Sequence, residues 1–122
     1  PGKIDFLVQA GGVRMDIQSA VYCGLIASEL ISNAIKYAFP KKKRGRIIFA
    51  FNENEKGRCC MTVQDNGIGF PQDFDIQEPE TLSFQVINSL IAQIGGEIVL
   101  DRCSGTKFDV IFTKSGDRIW EA

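Results

Sequence analysis

Five short runs of strand-forming residues and two longer runs with apolar residues every three or four positions divide this chain. Ile4, Phe6 and Val8 alternate with Asp5, Leu7 and Gln9, which predicts a short half-buried strand stopped by Gly11 and Gly12. Asp16 or Ser19 then offers an N-cap for a helix over about 19–38, with Val21, Leu25, Ile31 and Ile35 as its apolar stripe. Pro40 and the basic run Lys41-Lys42-Lys43-Arg44 end it. Arg46–Phe51 and Cys60–Gln64 read as a hairpin around the turn Asn54-Glu55-Lys56-Gly57. From Asp65 to Glu80 periodicity is lost, and the segment reads as a loop. Leu82, Val86, Leu90 and Ile94 then mark a second helix closed by Gly95-Gly96, with strands over 97–101 and 106–113 and a last one offered by 118–120. Two helices with one apolar side each, beside several strands, predict an α/β fold. Its form is a two-layer sandwich of a mixed β-sheet with the helices packed on one face. Phe6, Phe49, Phe51 and Phe108 fall in strands and are expected in the core.

At 122 residues, 44% of them hydrophobic, the chain suits one domain and is too short for two. No run approaches the roughly 20 apolar residues of a membrane helix, so the domain is expected to make no membrane contact and to be cytoplasmic. Its start at Pro1-Gly2, without an initiator methionine, suggests a piece of a longer polypeptide. Fourteen Lys and Arg against fifteen Asp and Glu give a net charge of -1, and the 41–44 run reads as a solvated loop, which argues against a nucleic-acid partner. The absence of histidine excludes Ser-His and Cys-His triads and His-ligated metals at once. Cysteines 23, 59, 60 and 103 show no C-x-x-C spacing, and buried thiols are preferred to metal ligands or bridges.

Three stretches carry chemistry. Glu29, Asn33, Lys36 and Tyr37 fall at i, i+4, i+7 and i+8 on one side of the first helix, a set that solubility does not require. Amide and carboxylate oxygens suit Mg²⁺ and an ammonium suits phosphate, while a solvated polar flank is the plain alternative. Asp65-Asn66-Gly67-Ile68-Gly69 ends a strand with an acceptor for an exocyclic amine, and its glycines permit positive φ and close backbone approach. A simple tight turn explains it equally well. Ser104-Gly105-Thr106-Lys107-Phe108 is a turn into a strand and by itself reads as structural.

Taken in order, E-L-I-S-N-A-I-K-Y-A-F-P at 29–40, D-N-G-I-G-F-P at 65–71, a helix ending G-G, and G-T-K-F at 105–108 resemble the ATP-binding domain of sensor histidine kinases. The A-F-P ending is similar to the kinases related to the HWE group. That domain has the Bergerat fold of the superfamily shared with gyrase, heat-shock chaperone and mismatch-repair ATPases. The resemblance runs from about residue 4 to 113. It implies ATP and Mg²⁺ as cofactors, with Asn33 holding the ion and Lys36 and Tyr37 touching phosphate. Asp65 and Thr106 would take the adenine, directly and through water, and Gly67 and Gly69 would frame it. Glu29 would polarise the acceptor or orient a water, and residues 72–82 would form the nucleotide lid.

The implied reaction moves the γ-phosphoryl group to a histidine outside this chain, on a helical dimerisation and phosphoacceptor domain. A response regulator would take it next. One departure stands out: Thr81-Leu82-Ser83-Phe84 replaces the S-L-G-L of relatives, putting Ser83 where a glycine lies against the phosphates. Its hydroxyl would either cap the helix and bond a phosphate, or crowd the site. An anti-sigma-factor-type serine kinase and a catalytically silent docking module of the same fold are the alternatives.

Overall fold

The computed structural model describes residues 4–38, 45–68, 81–102 and 105–113. They form β1 (Ile4–Ala10), α1 (Ile17–Asn33), β2 (Gly45–Glu53), β3 (Arg58–Asp65), α2 (Leu82–Gln93), β4 (Glu97–Asp101) and β5 (Thr106–Thr113), in the predicted order. The residues at 118–120, Cys103 and the basic run at 41–44 lie outside the described residues. One sheet carries the strands in the order β1-β2-β3-β5-β4. β1 is parallel to β2, and the other neighbouring pairs are antiparallel. A parallel pair cannot be closed by a tight turn, so α1 serves as the crossover from β1 to β2. α2 crosses likewise from β3 to β4, which run the same way on either side of β5. The expected mixed sheet with helices on one face is thus present.

Alternation decides which side of each strand is dry. On β3, Cys59, Met61, Val63 and Asp65 are buried, and on β5 Thr106, Phe108, Val110 and Phe112. These rows are in register across the two strands, from Cys59 beside Phe112 to Asp65 beside Thr106. Each row is apolar until its last pair, which is polar.

The helices bury other stripes than expected. Asp16 is the N-cap of α1, its carboxylate accepting from the Ser19 N–H at 3.0 Å. Ser19, Cys23, Ile26, Ala27, Leu30 and Asn33 then face inward. Val21, Leu25 and Ile35 are 54%, 48% and 51% exposed, and of the predicted stripe only Ile31 is half-buried against the core. The inward stripe is rich in small residues, which let the helix backbone approach its neighbours closely. On α2 the buried residues are Phe84, Ile87 and Ile91, while Leu82 and Val86 are exposed; Leu90 is half-buried and Ile94, just past the helix, is buried. Gly95 ends the helix in the left-handed region (φ 65°), and Gly96 N–H returns to the Ile91 carbonyl at 3.0 Å.

Phe6 is also misplaced by the core expectation, whereas Phe49, Phe51 and Phe108 belong to the core or pack on it. Among the described residues α1 packs on β3 and α2 on β4, and the main helix contacts do not reach edge strand β1. Phe6 and Val8 share the face of Ile47 and Phe49 by register, yet remain 48% and 59% exposed. Among the described residues no helix is long and apolar enough to cross a membrane. Cys23 and Cys59 are buried, as expected, and burial pushes the Cys23 thiol up to about 11.

Candidate functional site

Strand β3 delivers Asp65 to the end of the sheet as the last residue of its buried row. The carboxylate accepts from the Gly67 N–H at 2.9 Å. Burial pushes the Asp65 carboxyl up from its ordinary range, and the backbone N–H groups of Gly67 and Thr106 pull against that shift. Gly67 acts here through its N–H rather than by adopting the left-handed conformation that the sequence would permit. Asn66 clamps the turn to β2: its Oδ1 accepts from the Arg46 N–H at 2.8 Å, and its own N–H donates to the Arg46 carbonyl at 3.3 Å.

Across the sheet, Thr106 opens β5 directly beside Asp65. It is 1% exposed, and its Oγ1 has no hydrogen-bond partner among the described residues. An orphaned buried hydroxyl costs roughly 1–3 kcal/mol, which native proteins recover through a ligand or an ordered water. The preceding Gly105 adopts φ +82°, and a methyl there would run into the Asp65 carbonyl oxygen and lie 3.0 Å from Asn66 Cα. The turn into β5 is therefore more than a connector, because glycine is what lets it press against the Asp65-Asn66 backbone.

Helix α1 brings a second cluster to the same end. Asn33, 6% exposed, donates through Nδ2 to Ser83 Oγ at 2.7 Å, and Ser83 Oγ donates to Glu29 Oε1 at 3.0 Å. The end of α1 is thus tied to the first turn of α2. Ser83 does not cap α2; Thr81 does, its hydroxyl accepting from the Phe84 N–H at 3.4 Å. Next to Ser83, the Phe84 ring lies 5.6 Å from that of Phe108, two residues beyond Thr106. This aromatic contact joins the helix cluster to the strand cluster.

After Asn33 the helix widens into a π-helical stretch over Ala34–Ala38, where the sequence predicted α-helix throughout. Such wide turns occur frequently at functional sites. Lys36 lies in it, exposed, and Tyr37 by its backbone only. The Tyr37 side chain, Gly69 and the lid segment before Thr81 lie outside the described residues; Leu82, expected both at the end of the lid and as the start of the second helix, starts α2. Sequence spacing therefore anticipated the alignment of Glu29 with Asn33 but missed Ser83 as the link between them. No local signal reveals it, since the partners are 50 and 54 positions away.

With Nδ2 engaged by Ser83, Asn33 keeps an amide oxygen for a hard cation, which fits Mg²⁺. Among the described residues no group of three or more His, Cys, Asp or Glu is placed to hold a metal ion, so such an ion would draw its other oxygens from phosphate and water.

A fold of this topology with these two clusters defines an ATPase domain. The model of the histidine kinase-, DNA gyrase B- and HSP90-like ATPase family matches residues 20–116, and the chain belongs to that family. It is 29% identical over 101 residues to Blue-light-activated histidine kinase 2 of Erythrobacter litoralis, a match covering 83% of this chain and 29% of the relative. Sensor histidine kinase PdtaS of Mycobacterium tuberculosis is 27% identical over 86 residues, covering 69% and 17%. The chain thus spans less than a third of either relative. In structure it is similar to the histidine kinase domain of the Erythrobacter litoralis EL346 blue-light activated kinase. The TM-score is 0.86 at 28% identity, over 93% of this chain and 53% of that one. Mycobacterial sensor histidine kinase MprB, at 18% identity over 91% of this chain and 82% of that one, shares the fold with a TM-score of 0.70.

Proposed function

We propose that this chain is the ATP-binding catalytic module of a longer sensor histidine kinase and supplies the γ-phosphoryl group of Mg-ATP to a histidine outside its own sequence. The observation that carries this reading is the Asp65–Thr106 pair. In rows otherwise filled by Val63, Phe108 and their like, a buried carboxylate and an unpartnered hydroxyl stand side by side. One accepts from the exocyclic amine of adenine, and the other meets the water beside it.

The phosphates extend toward Asn33 and Lys36. Asn33 Oδ1 would hold Mg²⁺, which supplies charge neutralisation on the triphosphate. The exposed Lys36 ammonium attracts phosphate oxygens. Glu29 orients its neighbours through Ser83. Catalysis in such a module is mostly positioning. The acceptor sits on a helical dimerisation domain of the parent kinase, and an aspartate of a response regulator takes the phosphoryl group afterwards. We place the module in the cytoplasm, where ATP is available to it. The matching relatives are sensor histidine kinases, so a serine kinase or a silent docking module is not favoured.

Calorimetry with Mg-ADP tests the site. A charge-assisted hydrogen bond contributes roughly 1.5–3 kcal/mol, so Asp65→Asn should weaken binding about ten- to hundredfold. Wild-type affinity in that variant would remove the adenine assignment.

A further inference from the structure

The bridge Glu29–Ser83–Asn33 has a direction, and its acidic end sets it. An ionised carboxylate only accepts, so the single Ser83 proton is committed to Glu29 Oε1 at 3.0 Å. Oγ then has only lone pairs to offer Asn33. The group facing it at 2.7 Å must be a donor, Nδ2, and Oδ1 is turned away from Ser83. Asn33 is buried, at 6% exposure, so its side chain partners Ser83 rather than open solvent.

We propose that Ser83 is a positioning residue that locks the Asn33 amide with its oxygen presented to the nucleotide-bound divalent cation, and that Glu29 acts on the ion through it. The proposal rests on the ATP-site reading above. Without Ser83 the amide can rotate and meet the cation with its NH2 group, which repels it. With Ser83 the ligand is set before the ion arrives. Partners that orient a metal ligand in this way typically alter metal affinity 10- to 100-fold. A glycine at position 83 would have no side chain to do this. The serine therefore adds a link between the two helices. It is available for that role because Thr81, not Ser83, caps α2.

The test compares nucleotide affinity in magnesium with that in EDTA, by calorimetry with ADP. Wild type should bind more tightly with magnesium. In Ser83→Ala that gain should fall about tenfold while the EDTA affinity stays unchanged, and Ser83→Thr, which keeps the hydroxyl, should recover it. Glu29→Gln, whose amide no longer dictates the direction, should lose part of the gain. A full magnesium gain in Ser83→Ala overturns the proposal, and so does an equal loss with and without magnesium, which marks damage to the fold. Wild-type protein that binds no ADP in either buffer overturns the ATP reading itself, a different result from either.

Discussion

Asp65 is buried where an apolar residue would be more stable, and pH reports the cost. Burial lifts its folded-state pKa above the unfolded value of about 3.9, so the fold holds this proton more tightly than the unfolded chain does. The stability this contributes is present below the unfolded value and is lost as pH rises through the raised one. At neutral pH the ionised carboxyl is a liability that Asp65→Asn removes. That variant should match or exceed wild type in urea denaturation at pH 7, and its relative advantage should shrink as pH falls toward about 4. A variant less stable at pH 7 than at pH 4 relative to wild type would contradict the burial argument. The same substitution should weaken nucleotide, so stability and binding move in opposite directions. Asp65, Asn33 and Glu29 were legible in the sequence because their motifs are local. Ser83 stood out only as a departure, since its partners come from a helix more than forty positions earlier.

At the scale of elements, periodicity gave the helices but not their inward sides. α1 carries two apolar stripes, one through Val21 and Leu25 and one through Ile26 and Leu30, and spacing fits both. Packing chose the second, which runs through Cys23 and Ala27 and admits the sheet closely. Two leucines five positions apart therefore allow a direct comparison. Leu30→Ala, at a site 1% exposed, should cost about 2–5 kcal/mol in chemical denaturation. Leu25→Ala, at a site 48% exposed, should stay within about 1 kcal/mol of wild type. Equal losses would return α1 to the face first expected. The Gly105 turn gives the opposite case: it looked like a plain connector until the nearness of the Asp65 carbonyl showed why no side chain fits.

Across the whole molecule, the layers were legible and the strand order was not. Alternating strands and amphipathic helices imply a two-layer sandwich, but placing β5 between β3 and β4 requires knowing that α2 is a crossover. That order puts Thr106 beside Asp65 and sets Phe84, in the first turn of α2, against Phe108 of β5. Because the site is shared among α1, α2, β3 and β5, a ligand there should stabilise the domain as a unit. At 100 times its dissociation constant, Mg-ADP should add roughly 2.7 kcal/mol and raise the melting temperature by roughly 10 °C. Asp65→Asn at the same nucleotide concentration should show a much smaller rise, and an equal rise would place the nucleotide elsewhere.

The wide stretch after Asn33 holds one residue more than an α-helical turn needs. Removing one residue between Ala34 and Ala38 would let the coil tighten to the ordinary pitch without disturbing the buried row from Ser19 to Asn33. The tightened turn would cover nearly the same angle with one residue fewer, so the chain beyond it would leave in much the same direction. With Ile35 as the residue removed, Lys36 would move up one place toward Asn33 while the buried row before it stayed where it is.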